Sequence, residues 1–312
     1  MVRVDFGGCV LLAEDGALVA ATVRGRLMGP KKALGNAVVV GDRVRIEVES
    51  GRAVVDEVQP RRNAFSRRAA GEQPTEQVVA ANLDQVVLVT SLARPDFSPG
   101  LADRVLAQAE HAGIPARLVL NKIDLGGADL HPAAQLLSGY ETAGVACHAV
   151  SALRGGEGLE RLRHTLLGRR SLFVGHSGVG KSTLLNALVP GLDLLEGAVN
   201  EKTGRGRHTT TAAILVRPEP DFELIDTPGV RAFGLWGIGS RDLEQAYTEF
   251  RRFLGRCRFT DCRHETEPDC ALREALEAGE MSPPRYESFL KLRAELEQEE
   301  RLAEARTKRP RS

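Results

Sequence analysis

The 312-residue chain sets 42 Lys and Arg against 42 Asp and Glu, for a formal net charge of zero, and 42% of its residues are hydrophobic but only 4% aromatic. That length suits two or three domains with largely aliphatic cores. The neutral sum excludes a uniformly basic nucleic-acid binder, and the 27% charged fraction excludes wholesale disorder, although local basic patches stay open.

The first residues do not read as an export signal, because Asp5, Glu14 and Asp15 break the apolar stretch. No window approaches the roughly 18 apolar residues of a membrane span, so a cytoplasmic protein without a membrane partner is expected. The segments 2–4, 8–12, 18–23, 37–40, 43–48 and 53–55 carry β-branched residues between glycine-containing turns and read as strands. In the fifth of these Val44, Ile46 and Val48 alternate toward one face. Short strands without helical period predict an oligonucleotide-binding (OB)-type β-barrel over residues 1–72, and any small β-barrel fits the pattern equally. Arg61, Arg62, Arg67 and Arg68 around Phe65 suit RNA phosphate and base, and equally a solvated linker face. Residues 69–75 read as a mobile connection.

From Leu83 the period changes. Val86–Val89 is a continuous apolar run of the buried parallel-strand type, and residues 101–112, 133–143 and 159–167 read as helices between strands at 116–120, 145–150 and 172–174. Strands near 213–216 and 222–225 complete a wound α/β unit, a parallel sheet with flanking helices, over residues 73–235. Residues 236–312 lose that rhythm and become arginine-rich, then cysteine-rich. They end in a charged helix near 284–306, whose Tyr286, Phe289, Leu290 and Leu296 are expected to pack on their own domain.

The strongest motif is Gly175-His176-Ser177-Gly178-Val179-Gly180-Lys181-Ser182, followed by Thr183, between an apolar strand and a helix. It fits G-x-x-x-x-G-K-S, whose glycines let backbone N–H groups turn around phosphates. Lys181 then reaches the β and γ phosphates, and the Ser182 hydroxyl is placed for Mg²⁺. Asp226-Thr227-Pro228-Gly229 ends a strand, so Asp226 suits the Mg²⁺ water shell and the Gly229 N–H the γ-phosphate. Asn121-Lys122-Ile123-Asp124 closes another strand. Its aspartate can accept both hydrogen bonds from the guanine edge, and adenine offers neither donor. Ser151-Ala152 is expected to bring a backbone N–H near the guanine oxygen. These motifs together select GTP. Between Ser182 and Asp226, Gly204 to Thr211 suits a loop that orders around nucleotide, with Thr210 favoured over Thr209 and Thr211 as a Mg²⁺ ligand.

In ordinary GTPases the phosphate loop precedes N-K-x-D, whereas here N-K-x-D and Ser-Ala come first and D-x-x-G comes last. This is a circular permutation. With the barrel ahead of it and a cysteine cluster behind it, the chain resembles the RsgA (YjeQ, YloQ) family. That resemblance implies a GTPase dependent on the small (30S) ribosomal subunit, binding its 16S rRNA late in maturation and hydrolysing GTP to GDP and phosphate. Two rivals stand beside it: a GTP-gated RNA-binding module with incidental hydrolysis, and a permuted GTPase acting on another RNA particle. A monomer is expected.

The position after D-x-x-G, where many GTPases carry a water-orienting glutamine, is Val230. His208 is the candidate substitute, and a loop histidine facing RNA or solvent fits equally. The candidate catalytic groups are thus His208, Lys181 and Thr210. Cys257-x4-Cys262-x-His264-x5-Cys270 supplies three thiolates and one imidazole, as a closed structural Zn²⁺ site requires, and it also matches the metal motif of the RsgA type. Cys9 and Cys147 read as core residues. Arg251, Arg252, Arg256, Arg258 and Arg263 around the cluster, with Lys308, Arg309 and Arg311 in the tail, suit rRNA phosphates.

Overall fold

The computed structural model describes residues 1–5, 8–27, 36–69, 75–127, 131–190, 213–230 and 232–307. The β-branched segments of the N-terminal region form β1 (Arg3–Asp5), β2 (Gly8–Leu12), β3 (Leu18–Val23), β4 (Val44–Glu49) and β5 (Arg52–Val58). β3 and β5 run parallel, which brings Val23 and Val55 into one small core with Cys9, Leu11, Ala21 and Val38.

Two features of this region differ from expectation. Ala37–Val40 is a turn and not a strand. The Asp42 carboxylate accepts the Val39 N–H at 2.8 Å and is clamped by Arg61 Nε at 2.7 Å, so the three valines are buried from a loop, Val38 in this small core and Val40 in the main core. Gly41, at φ +91°, then passes so close to the Ala81 carbonyl that a Cβ would lie 2.1 Å from its oxygen. On β4, Ile46 and Val48 share a face, but they are 39% and 74% exposed because β4 is the last strand of its sheet.

The arginine-rich stretch folds as a hairpin of β6 (Ala64–Arg68) and β7 (Glu76–Ala81), while residues 70–74 lie outside the described residues. Phe65 is fully buried against Phe233, with ring centroids 5.6 Å apart, and so is closed to base stacking. The arginines are engaged within the chain: Arg61 with Asp42, Arg62 with Asp84, Arg67 with Gln77 and Arg68 with Glu299.

The wound region follows as β8 (Gln85–Ser91), α1 (Pro99–His111), β9 (Ala116–Asn121), α2 (His131–Thr142), β10 (Ala146–Ala149), α3 (Glu157–Leu166), β11 (Arg169–Gly175), α4 (Lys181–Leu188), β12 (Ile214–Glu219) and β13 (Phe222–Asp226). All seven residues of β8 are buried, as a central parallel strand covered on both faces demands. The sheet order is β10-β9-β8-β11-β13-β12-β1-β2-β3-β5-β4, parallel from β10 to β13 and antiparallel at β12. The β12–β1 pairing at Ile214 and Arg3 makes one continuous sheet of the two regions.

Beyond residue 236 two short 3-10 turns precede α5 (Ala271–Glu277) and α6 (Pro283–Thr307). Tyr286, Phe289 and Leu296 of α6 are buried, and Phe289 meets Tyr247 and Phe250 edge-on at 5.3 and 4.9 Å. The same helix also closes on α1. Arg285 is buried between Asp103 of α1 and Glu249, with its guanidinium 4.6 Å from the Tyr247 ring centroid and 5.1 Å from that of Tyr140. Among the described residues no helix is long and apolar enough to cross a membrane.

Candidate functional site

Parallel strands present their carboxyl ends on one side of the sheet, and that rim collects the motif residues. β11 delivers Gly175, the loop His176–Gly180 turns over it, and α4 begins at Lys181. Gly178 and Gly180 have φ of +86° and +85°, the left-handed region that glycine tolerates without strain. A Cβ on Gly175 would lie 2.5 Å from the Val89 carbonyl oxygen, and one on Gly180 would lie 2.6 Å from Asn121 Nδ2. The loop therefore needs glycine for conformation and for room.

Asn121, at the end of β9, is 1% exposed and used at both ends. Its Nδ2 donates to the Val179 carbonyl at 3.0 Å, and its Oδ1 accepts the Ala152 N–H at 3.0 Å. It ties the phosphate loop to both guanine-side loops. Lys122 extends over the loop, donating from Nζ to the Gly178 carbonyl at 2.6 Å and to the Arg94 carbonyl. Ile123 and Asp124 form a short 3-10 turn, and Ser151 Oγ donates to Asp124 Oδ1 at 2.6 Å. That bond orients the carboxylate and leaves its second oxygen for a ligand. The Ala152 N–H expected near the guanine oxygen is taken by Asn121.

Asp226 ends β13, where its carboxylate is paired with the Lys181 ammonium. Thr227 Oγ1 donates to the Phe173 carbonyl at 2.6 Å, anchoring the turn, and Gly229 approaches Ser177 so closely that a Cβ would meet its Cα at 2.9 Å. Val230 donates its N–H to the Gly175 carbonyl at 3.0 Å, and its side chain is buried in the main core. A cavity of about 390 Å³ lies over this rim, lined by Lys122, His176, Ser177, Lys181, Ser182, Thr183 and Gly229 among others. Ser182 and Thr183 are exposed in it. His208, Thr209, Thr210, Thr211 and the rest of their loop lie outside the described residues.

Cys257, Cys262, His264 and Cys270 form a second cluster, with their donor atoms all within 4.8 Å of one another. His264 Nδ1 stands 3.6 Å from Cys257 Sγ and 3.3 Å from Cys270 Sγ, separations that a tetrahedral ion with bonds of about 2.0–2.3 Å produces between its ligands. The other imidazole nitrogen, Nε2, is 2.8 Å from Glu244 Oε2. Such a carboxylate fixes the tautomer that leaves Nδ1 free for a metal. His264 sits at φ +62°, held there by the Tyr286 hydroxyl, which donates to its carbonyl. Burial pushes the Cys262 thiol up to about 12, and the adjacent Cys270 thiol adds to the shift. A cation that takes the thiolates removes that penalty. The connecting loop is organised by Glu267. Burial works against its charge, but the backbone N–H groups of Arg263, Glu265 and Thr266 more than offset that and bring its carboxyl down to about 2.

The surrounding arginines are mostly engaged: Arg251 with Glu110, Arg252 with Glu280, Arg258 with Asp269 and Arg263 with Glu297. All four are exposed, where such pairs are worth little and exchange readily for phosphate. Glu244 and Arg94 escaped the sequence reading. Glu244 stands 20 residues from its histidine, and Arg94 contributes only a carbonyl.

The sequence model of the family described as RsgA GTPase matches residues 58–236. A small ribosomal subunit biogenesis GTPase RsgA from Gemmatimonas aurantiaca is 46% identical over 291 residues, 91% of this chain and 92% of that protein. One of the same name from Bacteroides fragilis is 38% identical over 283 residues, covering 89% and 90%. The crystal structure of YjeQ from Thermotoga maritima superposes with a TM-score of 0.73 at 31% identity, covering 95% of this chain and 97% of that one. YloQ, a circularly permuted GTPase, has the same fold, with a TM-score of 0.70 at 24% identity over 100% of this chain and 96% of its own. This chain belongs to the RsgA GTPase family.

Proposed function

We propose that this chain hydrolyses GTP to GDP and phosphate while bound to the small (30S) ribosomal subunit and its 16S rRNA, late in the maturation of that subunit. The observation that carries the nucleotide reading is Asn121, whose side chain joins the phosphate loop to the N-K-x-D and Ser-Ala loops, so that motifs in permuted order converge on one rim. The names of the relatives support the subunit. Three units share the work: a barrel over 1–72, the permuted GTPase over 73–235 and a zinc-binding domain over 236–312. The protein acts as a cytoplasmic monomer.

Asp124 reads the guanine edge with the oxygen that Ser151 leaves open. Backbone N–H groups of His176 to Ser182 face the phosphates. Phosphates compete with Asp226 for Lys181, and a carboxylate so released would be available to the water shell of Mg²⁺. Ser182 and Thr210 would hold Mg²⁺, which would neutralise phosphate charge. With Val230 buried, no side chain next to Gly229 orients water, so His208 takes that role and the basal rate is low. Cys257, Cys262, His264 and Cys270 hold one structural Zn²⁺.

Steady-state GTP hydrolysis, measured alone, with purified small subunits and with large subunits, tests this. Stimulation by small subunits only is the expected result. The buried Val230 also favours a second reading, a GTP-gated RNA-binding module with incidental hydrolysis. Tight GTP binding without stimulation by either subunit would favour it.

A further inference from the structure

Many of the guanidinium groups in this molecule face a carboxylate, as Arg24 faces Glu47, Arg163 faces Glu219 and Arg170 faces Glu223. Toward the amino ends of the strands, on the sheet face that α3 packs against, two arginines stand outside that balance. Arg169 opens β11, about 20 Å of strand before Gly175, and Arg117 is the second residue of β9, about 13 Å before Asn121, so both lie on the amino side of the rim. His148, on the edge strand β10, lies across from Val119 on the same face as Arg117.

The Arg117 guanidinium is held in place. Its Nε donates to Gln85 Oε1 at 2.7 Å, and Gln85, fully buried, donates in turn to the Thr165 carbonyl at 3.0 Å and to Ser171 Oγ at 2.9 Å. Its Nη1 lies 3.5 Å from His148 Nε2, which leaves Nη2 as the free edge among the described residues. Among the described residues none of Arg117, His148 and Arg169 has a carboxylate partner, and the nearby Arg161 is paired with Glu157. Burial, then Arg117, then Arg161 press His148 down to about 4, so at pH 7 it is neutral beside the guanidinium. Burial and Arg169 likewise lower Arg117. Like charges gathered on a fixed scaffold, in a molecule whose total charge is zero, are stabilised by an anion from outside.

We infer that this corner is an anion site for the phosphodiester backbone of an RNA strand, engaged by the free edge of Arg117 together with Arg169. The shape favours a polyanion. Arg117 stands level with Phe173, four residues beyond Arg169 and two strands across, so their backbones are about 16 Å apart on one face of the sheet, a separation that suits successive phosphates better than one small ion. The RNA identity rests on the reading under Proposed function.

The test uses the full chain with a GTP analogue and measures its affinity for purified small ribosomal subunits across a KCl series. Arg169→Glu should reduce the slope of log affinity against log salt by about 1 and weaken binding about tenfold near physiological salt, the weight of a lost phosphate contact. Basal GTP hydrolysis without subunits should stay unchanged. In parallel, the His148 imidazole resonance is followed by NMR while oligo(rU) is added. In the wild type its pKa should rise from about 4 as the anion screens the guanidinium groups, and in Arg169→Glu it should not respond to the RNA. A silent His148 and an unchanged salt slope would overturn the site even if wild-type protein binds the subunit. A responding His148 in a protein that ignores the subunit would keep the site and overturn the ribosomal reading.

Discussion

At the nucleotide rim the working surface is backbone, whereas the C-terminal module is held by a few specific side chains. Gly175, Gly178, Gly180 and Gly229 open space for N–H groups, and the rim's mechanical support is the fully buried strand β8 and its neighbours below. Among the described residues beyond 236 the regular elements are two short turns and two helices, braced by four clustered metal-type ligands, one buried ion network and the Tyr247–Phe250–Phe289 stack. A change at the rim should therefore cost ligand binding more than stability, and a change in the module should do the reverse.

The largest expected effect is removal of the metal proposed for Cys257, Cys262, His264 and Cys270. Structural zinc sites contribute on the order of 10 kcal/mol in small zinc-dependent folds. Chelation or Cys262→Ser should abolish bound zinc and hydrogen-exchange protection across residues 243–277, and should shift the emission of Trp236, the sole tryptophan. GTP affinity should change by less than about threefold. Retained protection after complete zinc removal would break the comparison.

Next comes Arg285→Met. It leaves the Asp103 and Glu249 carboxylates buried without their cation, a loss of about 3–5 kcal/mol in urea unfolding. Asp103→Leu added to Arg285→Met should recover part of it, because an apolar pair needs no counter-charge. A loss below about 1 kcal/mol would place this network among the dispensable contacts.

Gly180→Ala has the smallest effect on stability and sharpens the contrast from the other side. The methyl group meets Asn121 Nδ2 at 2.6 Å on a residue at φ +85°. The expected result is a GTP affinity weaker by more than about a hundredfold, about 3 kcal/mol, with an unfolding free energy lowered by about 1–2 kcal/mol. A large stability loss with normal GTP binding would reverse the assignment of roles.

The motif residues were legible because each is defined by its immediate neighbours in sequence: glycines where a loop must turn, an acid at a strand end, four soft ligands within fourteen residues. Helices α1, α2 and α3 were legible from period, within two residues at each end. The β6–β7 hairpin was not, since Arg61 to Arg68 looks solvated until Asp42, Asp84, Gln77 and Glu299 arrive from elsewhere. Ala37–Val40 misled for the opposite reason. Three buried valines have strand character locally, but the Asp42 carboxylate, gripped by Arg61, bends the chain into a turn.

The permuted motif order, and with it the GTPase identity, was determined by the sequence alone, because glycine conformation and guanine hydrogen bonding are short-range requirements that few residue types meet. Only the tertiary structure decided which charges are neutralised, that α6 locks onto α1 through Arg285, and that Arg117 and Arg169 have no carboxylate partner among the described residues. Those outcomes depend on pairs tens to more than two hundred residues apart, and no local pattern records which distant carboxylate a guanidinium will find.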